Sequence, residues 1–196
     1  AASLDGGANP DCIWNPQWGD NPEGWGDAEF YTAVSHAVRN DNSTAVELLL
    51  KRGATLITRL LPASIAVEWA SLATLHRLIA LGARVNGWKN QRYWPLHLLV
   101  TRRGAMTANS VEEFRKDNAD WQTTLGWSAA QRARSEPRPV DGATYSGMLE
   151  ALLVAKADPD APWDNGITML MWGGVETGKA LLKFGADVHK RDAHGW

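Results

Sequence analysis

Five histidines, one cysteine and 22 acidic side chains are the groups in this 196-residue chain that could do chemistry. His189 and His194 lie close together with Asp187 and Asp192 beside them. Those donor types suit a metal, but neither spacing matches a closed site such as Cys₂His₂. Cys12 sits in a turn-rich stretch with no histidine near it in sequence. A thiol without a neighbouring base or cation is a poor nucleophile. Glu23, Asp27 and Glu29 beside Trp18 and Trp25 resemble the lining of a sugar cleft. Glycoside hydrolysis, however, needs two carboxyls at a defined separation, and a Gly- and Pro-rich stretch holds them badly. No H-E-x-x-H, G-x-S-x-G, Walker loop or G-x-G-x-x-G is present. Asn42-Ser43-Thr44 fits a glycosylation sequon, and equally the polar cap that opens a helix. The expectation is a non-catalytic chain with no cofactor and no metal.

Binding is the chemistry left, and tryptophan is its best carrier. Eleven tryptophans are present. Trp14, Trp18, Trp25, Trp88 and Trp163 fall in turn-rich stretches, and Trp69 and Trp172 in helical ones. Such rings either pack on neighbouring elements or anchor a partner. The charge balance, 20 basic against 22 acidic residues, argues against nucleic acid. The most apolar region, Leu60 to Ala83, is broken by Glu68, His76 and Arg77, so no membrane span is expected. No basic-then-apolar leader opens the chain. A single cysteine allows no intrachain disulfide and is compatible with a reducing, cytoplasmic setting.

The elements that must position these residues are repetitive. Glu47 to Thr55 reads ELLLKRGAT. Val46, Leu49 and Leu50 precede Gly53 by seven, four and three residues, a spacing that shares one helix face. Gly53 can take φ > 0 just past the helix end. Leu75, Leu78 and Ile79 stand in the same relation to Gly82. Gly178, Leu181 and Leu182 stand so to Gly185, and Leu149, Leu152 and Leu153 to Lys156, where the glycine is lost. Alanine follows each time: Ala54, Ala83, Ala157 and Ala186. Leu4, Gly7 and Ala8 look like the tail of one more copy. Leu49 and Leu78 are therefore expected to be almost fully buried.

Upstream of these endings sits a second pattern, clearest at Trp94-Pro95-Leu96-His97 with Leu99 and Val100. Thr32-Ala33-Val34-Ser35 and Leu61-Pro62-Ala63-Ser64 share its register. Together the two patterns resemble the ankyrin repeat, with its T-P-L-H-x-A-A opening and its second helix ending L-L-x-x-G-A. The resemblance covers nearly the whole chain. It implies an all-α fold, an α-solenoid of stacked helix pairs with protruding hairpin fingers. It also implies that His97 holds adjacent hairpins together by hydrogen bonding.

The copies are unevenly spaced. Gly7 to Gly53 is 46 residues, Gly53 to Gly82 is 29, Gly82 to Lys156 is 74, and Lys156 to Gly185 is 29, against a family period of about 33. One domain over 1–196 is expected. It divides into a partial unit (1–11), an enlarged finger (12–30), repeats at 31–56 and 57–86, and a repeat at 87–160 with an insertion over about 104–144. A short repeat at 161–188 and the start of another at 189–196 follow. Read instead as a degenerate repeat, 104–144 would place Val111 and Phe114 before Asn118-Ala119. Insertion is preferred because Arg115 spoils the third apolar position. Helices are expected near 109–117 and 122–134 either way. Gly178 takes an apolar place in the last pair, which should be the least stable. The chain reads as a fragment of a longer array, monomeric as such.

The resemblance implies a protein-interaction module. Its contacts would be finger residues and the outward positions of the inner helices. These are Arg39, Glu68, Trp69, Trp88, Arg92, Tyr93, Arg102, Trp163 and Trp172, with His36, Asn40 and Leu98 near them. Trp69 and Trp88 are the expected anchors. Carbohydrate or small-ligand binding through the Trp-rich fingers stays open as an alternative, as does a substrate-positioning role beside an enzyme.

Overall fold

A computed structural model describes residues 6–12, 32–56, 61–69, 71–87, 94–105 and 140–195. Eight α-helices and no strand occur among them. They are α1 (Ala33–Arg39), α2 (Ser43–Lys51), α3 (Pro62–Trp69), α4 (Leu72–Ala80), α5 (Pro95–Ala105), α6 (Gly142–Val154), α7 (Met169–Trp172) and α8 (Val175–Lys183). A 3₁₀ turn, Asp164–Gly166, precedes α7. The fold is all-α. The sequence reads as an inner helix over 94–103 and an outer helix over 145–155; α5 runs to Ala105 and α6 begins earlier, at Gly142. The expected helices near 109–117 and 122–134, and most of the enlarged finger at 12–30, lie outside the described residues.

Side chains set where these helices begin. Thr32, Asn42, Ser71 and Asp141 each accept a hydrogen bond from the backbone N–H three residues on, satisfying a donor that the first turn leaves orphaned. Asn42 of the sequon-like triplet is thus a helix cap. The last pair lacks this device: Thr168 and Gly174 open α7 and α8 with no side-chain cap.

Four helices end in the same way. The N–H groups of Gly53 and Ala54 bond back to Leu50 and Leu49, and those of Gly82 and Ala83 to Ile79 and Leu78. Lys156–Ala157 and Gly185–Ala186 repeat the arrangement. This is a Schellman closure, which requires a left-handed residue at its turn. Gly53, Gly82 and Gly185 have φ of 89°, 85° and 90°, and Lys156 is forced to 69°. The alanine that follows is buried each time, which explains its small side chain.

The helices pack two by two: α1 on α2, α3 on α4, α5 on α6, α7 on α8. Odd-numbered neighbours also touch, α1–α3, α3–α5 and α5–α7, as do α4–α6 and α6–α8. One continuous apolar core runs between them, from Val34 and Val46 through Ile65, Leu78, Leu99 and Leu152 to Met169 and Leu181. Leu78 is 1% exposed as expected, but Leu49 is only half-buried. α4 is held between α3 and α6, whereas α2 packs chiefly on α1. At the glycine of α8, the space a Cβ would enter is bordered by Leu170 at 3.7 Å, so Gly178 faces a neighbour at ordinary contact distance.

Candidate interaction surface

The aromatic residues of three consecutive stretches meet in one file. Trp94 precedes α5 and lies over Gly87, where even a Cβ would collide with its indole. The ring stacks on His97 of α5, with centroids 5.6 Å apart and planes 17° from parallel. On its other side His97 stacks with Trp163 at 6.2 Å and 25°. Trp163 in turn meets Trp172 of α7 edge-on, at 5.8 Å and 79°. These are the offset and T-shaped geometries that ring quadrupoles favour.

His97 anchors the file. It is 2% exposed, and its Nε2 lies 3.0 Å from the Ala161 carbonyl. A carbonyl only accepts, so Nε2–H donates. The bond reaches from α5 to the finger before α7. Trp163 is fixed by that finger. Its backbone N–H donates to the Ile167 carbonyl and its carbonyl accepts from the Gly166 N–H. Asn165 and Gly166 turn the chain with φ of 60° and 76°, values that Asn and Gly adopt at least cost. The file grows more open towards its end: His97 is buried, Trp163 half-buried, and Trp172 58% exposed.

A second pairing joins two other expected contact residues. The Arg39 guanidinium, at the end of α1, lies 4.4 Å from the ring centre of Trp69, at the end of α3. That is a cation–π contact between neighbouring helix ends. Trp69 also packs against the core and is half-buried, so it is less open than an anchor at an exposed helix end would be. Glu68 stands beside it, half-buried. Trp88, Arg92 and Tyr93 lie outside the described residues, as does the side chain of Arg102. The structure therefore brings together Arg39 with Trp69, and Trp163 with Trp172.

Sequence reading overlooked the residues that tie the loops to one another. Asp11 Oδ1 accepts from the Thr55 N–H at 2.9 Å. Asn86 Oδ1 accepts from the Asp158 N–H at 2.8 Å, and Asn86 Nδ2 donates to the Lys156 carbonyl at 2.8 Å. Asp160 accepts from the Asp187 N–H at 3.0 Å. The three acceptors stand four residues after Gly7, Gly82 and Lys156. That recurrence was the available signal. Asp41, between α1 and α2, makes another tie. Its Oδ1 accepts from the Ser71 N–H and hydroxyl and from the Thr74 hydroxyl. Buried Tyr145 of α6 shares a 2.6 Å hydrogen bond with Thr177 of α8.

Among the described residues no three His, Cys, Asp or Glu side chains converge as metal ligands. Cys12 is an exposed free thiol. A shallow groove between α6 and α8 is lined by Tyr145, Leu149, Glu150, Lys179 and Lys183. No described helix is long and apolar enough to cross a membrane. Comparison with protein-family models finds no match for this chain, and comparison with curated proteins finds none either.

Proposed function

We propose that this chain is an ankyrin-type α-solenoid serving as a non-catalytic protein-interaction module in the cytoplasm. Four helix pairs in register, four identical helix closures and a recurring side-chain tie between loops support the repeat reading. The Asn86–Asp158 tie and the α5–α6 packing support an insertion between those helices. With the helix ends as observed, the excursion would span 106–141.

The observation that carries the interaction reading is the indole of Trp172. It is a large, mostly exposed aromatic whose orientation is fixed by Trp163, which is itself fixed through His97. A rigid aromatic with open apolar area is what binding hot spots are made of. The Arg39–Trp69 pair offers a second contact at the ends of α1 and α3. The partner is another protein.

The test compares the chain with Trp172→Ala as baits for affinity capture, alongside their melting curves. Truncating a true anchor costs at least about 2 kcal/mol of binding. A protein held by the unsubstituted chain and lost by an equally stable Trp172→Ala is the expected result. Equal capture by both baits would sink the assignment of Trp172.

A further inference from the structure

The chain contains two Asn-Gly pairs, Asn86-Gly87 and Asn165-Gly166. In such a pair the glycine nitrogen can attack the asparagine Cγ, because glycine has no Cβ to obstruct the approach. Sequence alone makes the two pairs equivalent, but the fold separates them. The Asn86 amide is held at both ends: Oδ1 accepts from the Asp158 N–H and Nδ2 donates to the Lys156 carbonyl, each at 2.8 Å. Gly87 lies under the Trp94 indole, which fills the space beside its Cα. Attack at Asn86 must therefore break both bonds and move the chain against a ring.

Asn165 lacks those restraints. It stands exposed at the tip of the finger before α7, and its side chain makes no hydrogen bond among the described residues. The loop that follows α8 is already seated on this tip. The Ala193 N–H donates to the Asn165 carbonyl at 2.6 Å, and a Cβ on Gly166 would meet the backbone of Asp192 and Ala193. The Asn165 side chain is thus open with its neighbour in place. Backbone bonds alone hold the turn: that one, and the Gly166 N–H to the Trp163 carbonyl at 3.0 Å. Local opening at a loop tip is among the least costly that a fold allows.

We infer that Asn165 is a deamidation site, and that its conversion to isoaspartate releases Trp163 from the aromatic file. The Gly166 nitrogen bonds to Asn165 Cγ, the Cγ–Nδ2 bond breaks, and Nδ2 leaves as ammonia with the proton that Gly166 gives up. Water then opens the cyclic imide at either carbonyl. Opening at the original backbone carbonyl gives isoaspartate. The chain then runs through Cγ, one methylene longer, and the group that accepted from Ala193 becomes a free carboxylate. The Gly166 N–H is carried off the Trp163 carbonyl. Trp163, stacked on His97 and edge-on to Trp172, loses the turn that fixes it. Any effect on partner binding rests on the reading of Trp172 as an anchor; the reaction itself does not.

The test is to age the folded chain at mildly alkaline pH, where the attacking nitrogen gives up its proton more readily, and to map its peptides by chromatography and mass spectrometry. Asn165 is expected to convert severalfold faster than Asn86, whereas in denaturant the two should convert at similar rates. The near-UV circular dichroism of the folded chain should fall as isoaspartate accumulates. Asn165→Gly, which accepts a φ of 60° and has no amide to lose, should keep its signal. Asn86 converting as fast as Asn165 in the folded chain, or Asn165 persisting there while it converts in denaturant, overturns the site. An unchanged near-UV spectrum after conversion, or an equal loss in Asn165→Gly, overturns the release of Trp163. No partner enters these measurements, so their outcome is separate from that of the Trp172→Ala capture.

Discussion

Asp41 is expected to hold the first helix pair onto the second, and three substitutions separate how it does so. The residue sits in the turn between α1 and α2 with φ of 55°. There its Oδ1 collects two donors from Ser71 and one from Thr74, at the start of α4. Hydrogen bonds to a charged acceptor contribute about 1.5–3 kcal/mol each when isolated. These three share one oxygen in a half-buried site, so together they are worth about 2–3 kcal/mol. Left-handed backbone adds about 1 kcal/mol for a residue such as alanine. Asp41→Ala should then cost about 3–4 kcal/mol, Asp41→Gly about 2–3, and Asp41→Asn, which keeps both an acceptor and the turn preference, about 1. At about 2–4 °C per kcal/mol for a chain of this length, thermal unfolding resolves these steps. Hydrogen exchange at the Ser71 and Thr74 amides should rise in the same order. The reasoning is refuted if Asp41→Ala unfolds within a degree of the unsubstituted chain, or if glycine is no better than alanine.

Three further outcomes can be checked by the same unfolding measurements. Leu78→Ala should cost about 2–5 kcal/mol, the range for a filled core position, and Leu49→Ala clearly less because its side chain is half-buried; equal losses would contradict the packing described. Lys156→Gly should stabilise the chain by about 0.5–1 kcal/mol, since glycine relieves the 69° φ at a closure that is otherwise glycine. Asp141 has a carboxyl held below its usual 3.8 by the hydrogen bond from the Thr144 N–H and then by that residue's side chain. A lowered folded-state pKa adds stability above the ordinary value and loses it as pH falls through the lower one. Asp141→Asn should therefore flatten the acid limb of the stability profile below about pH 4 and leave neutral pH little changed.

Local features could be read from sequence because their causes are local. A closure needs apolar residues three and four before a left-handed turn, then a small residue, and all of that lies within a few positions of Gly53, Gly82 or Gly185. The caps at Asn42 and Ser71 are equally short-range. The exposure of a leucine on such a helix is decided elsewhere. Leu49 and Leu78 have the same local pattern, yet among the described helices α4 packs on both α3 and α6 while α2 packs chiefly on α1. The aromatic file shows the same division. Trp163 and Trp172 were candidates by type and position, but the route from His97 through Trp163 to Trp172 depends on a finger reaching Ala161 across 64 residues of chain. Trp69 was expected as an open anchor, and the core together with Arg39 from another helix covers part of it. Sequence thus determined where helices start and stop, through hydrogen bonds within one or two turns. The tertiary structure decided which side chains were covered and which stayed open, because burial depends on neighbours that are distant in sequence.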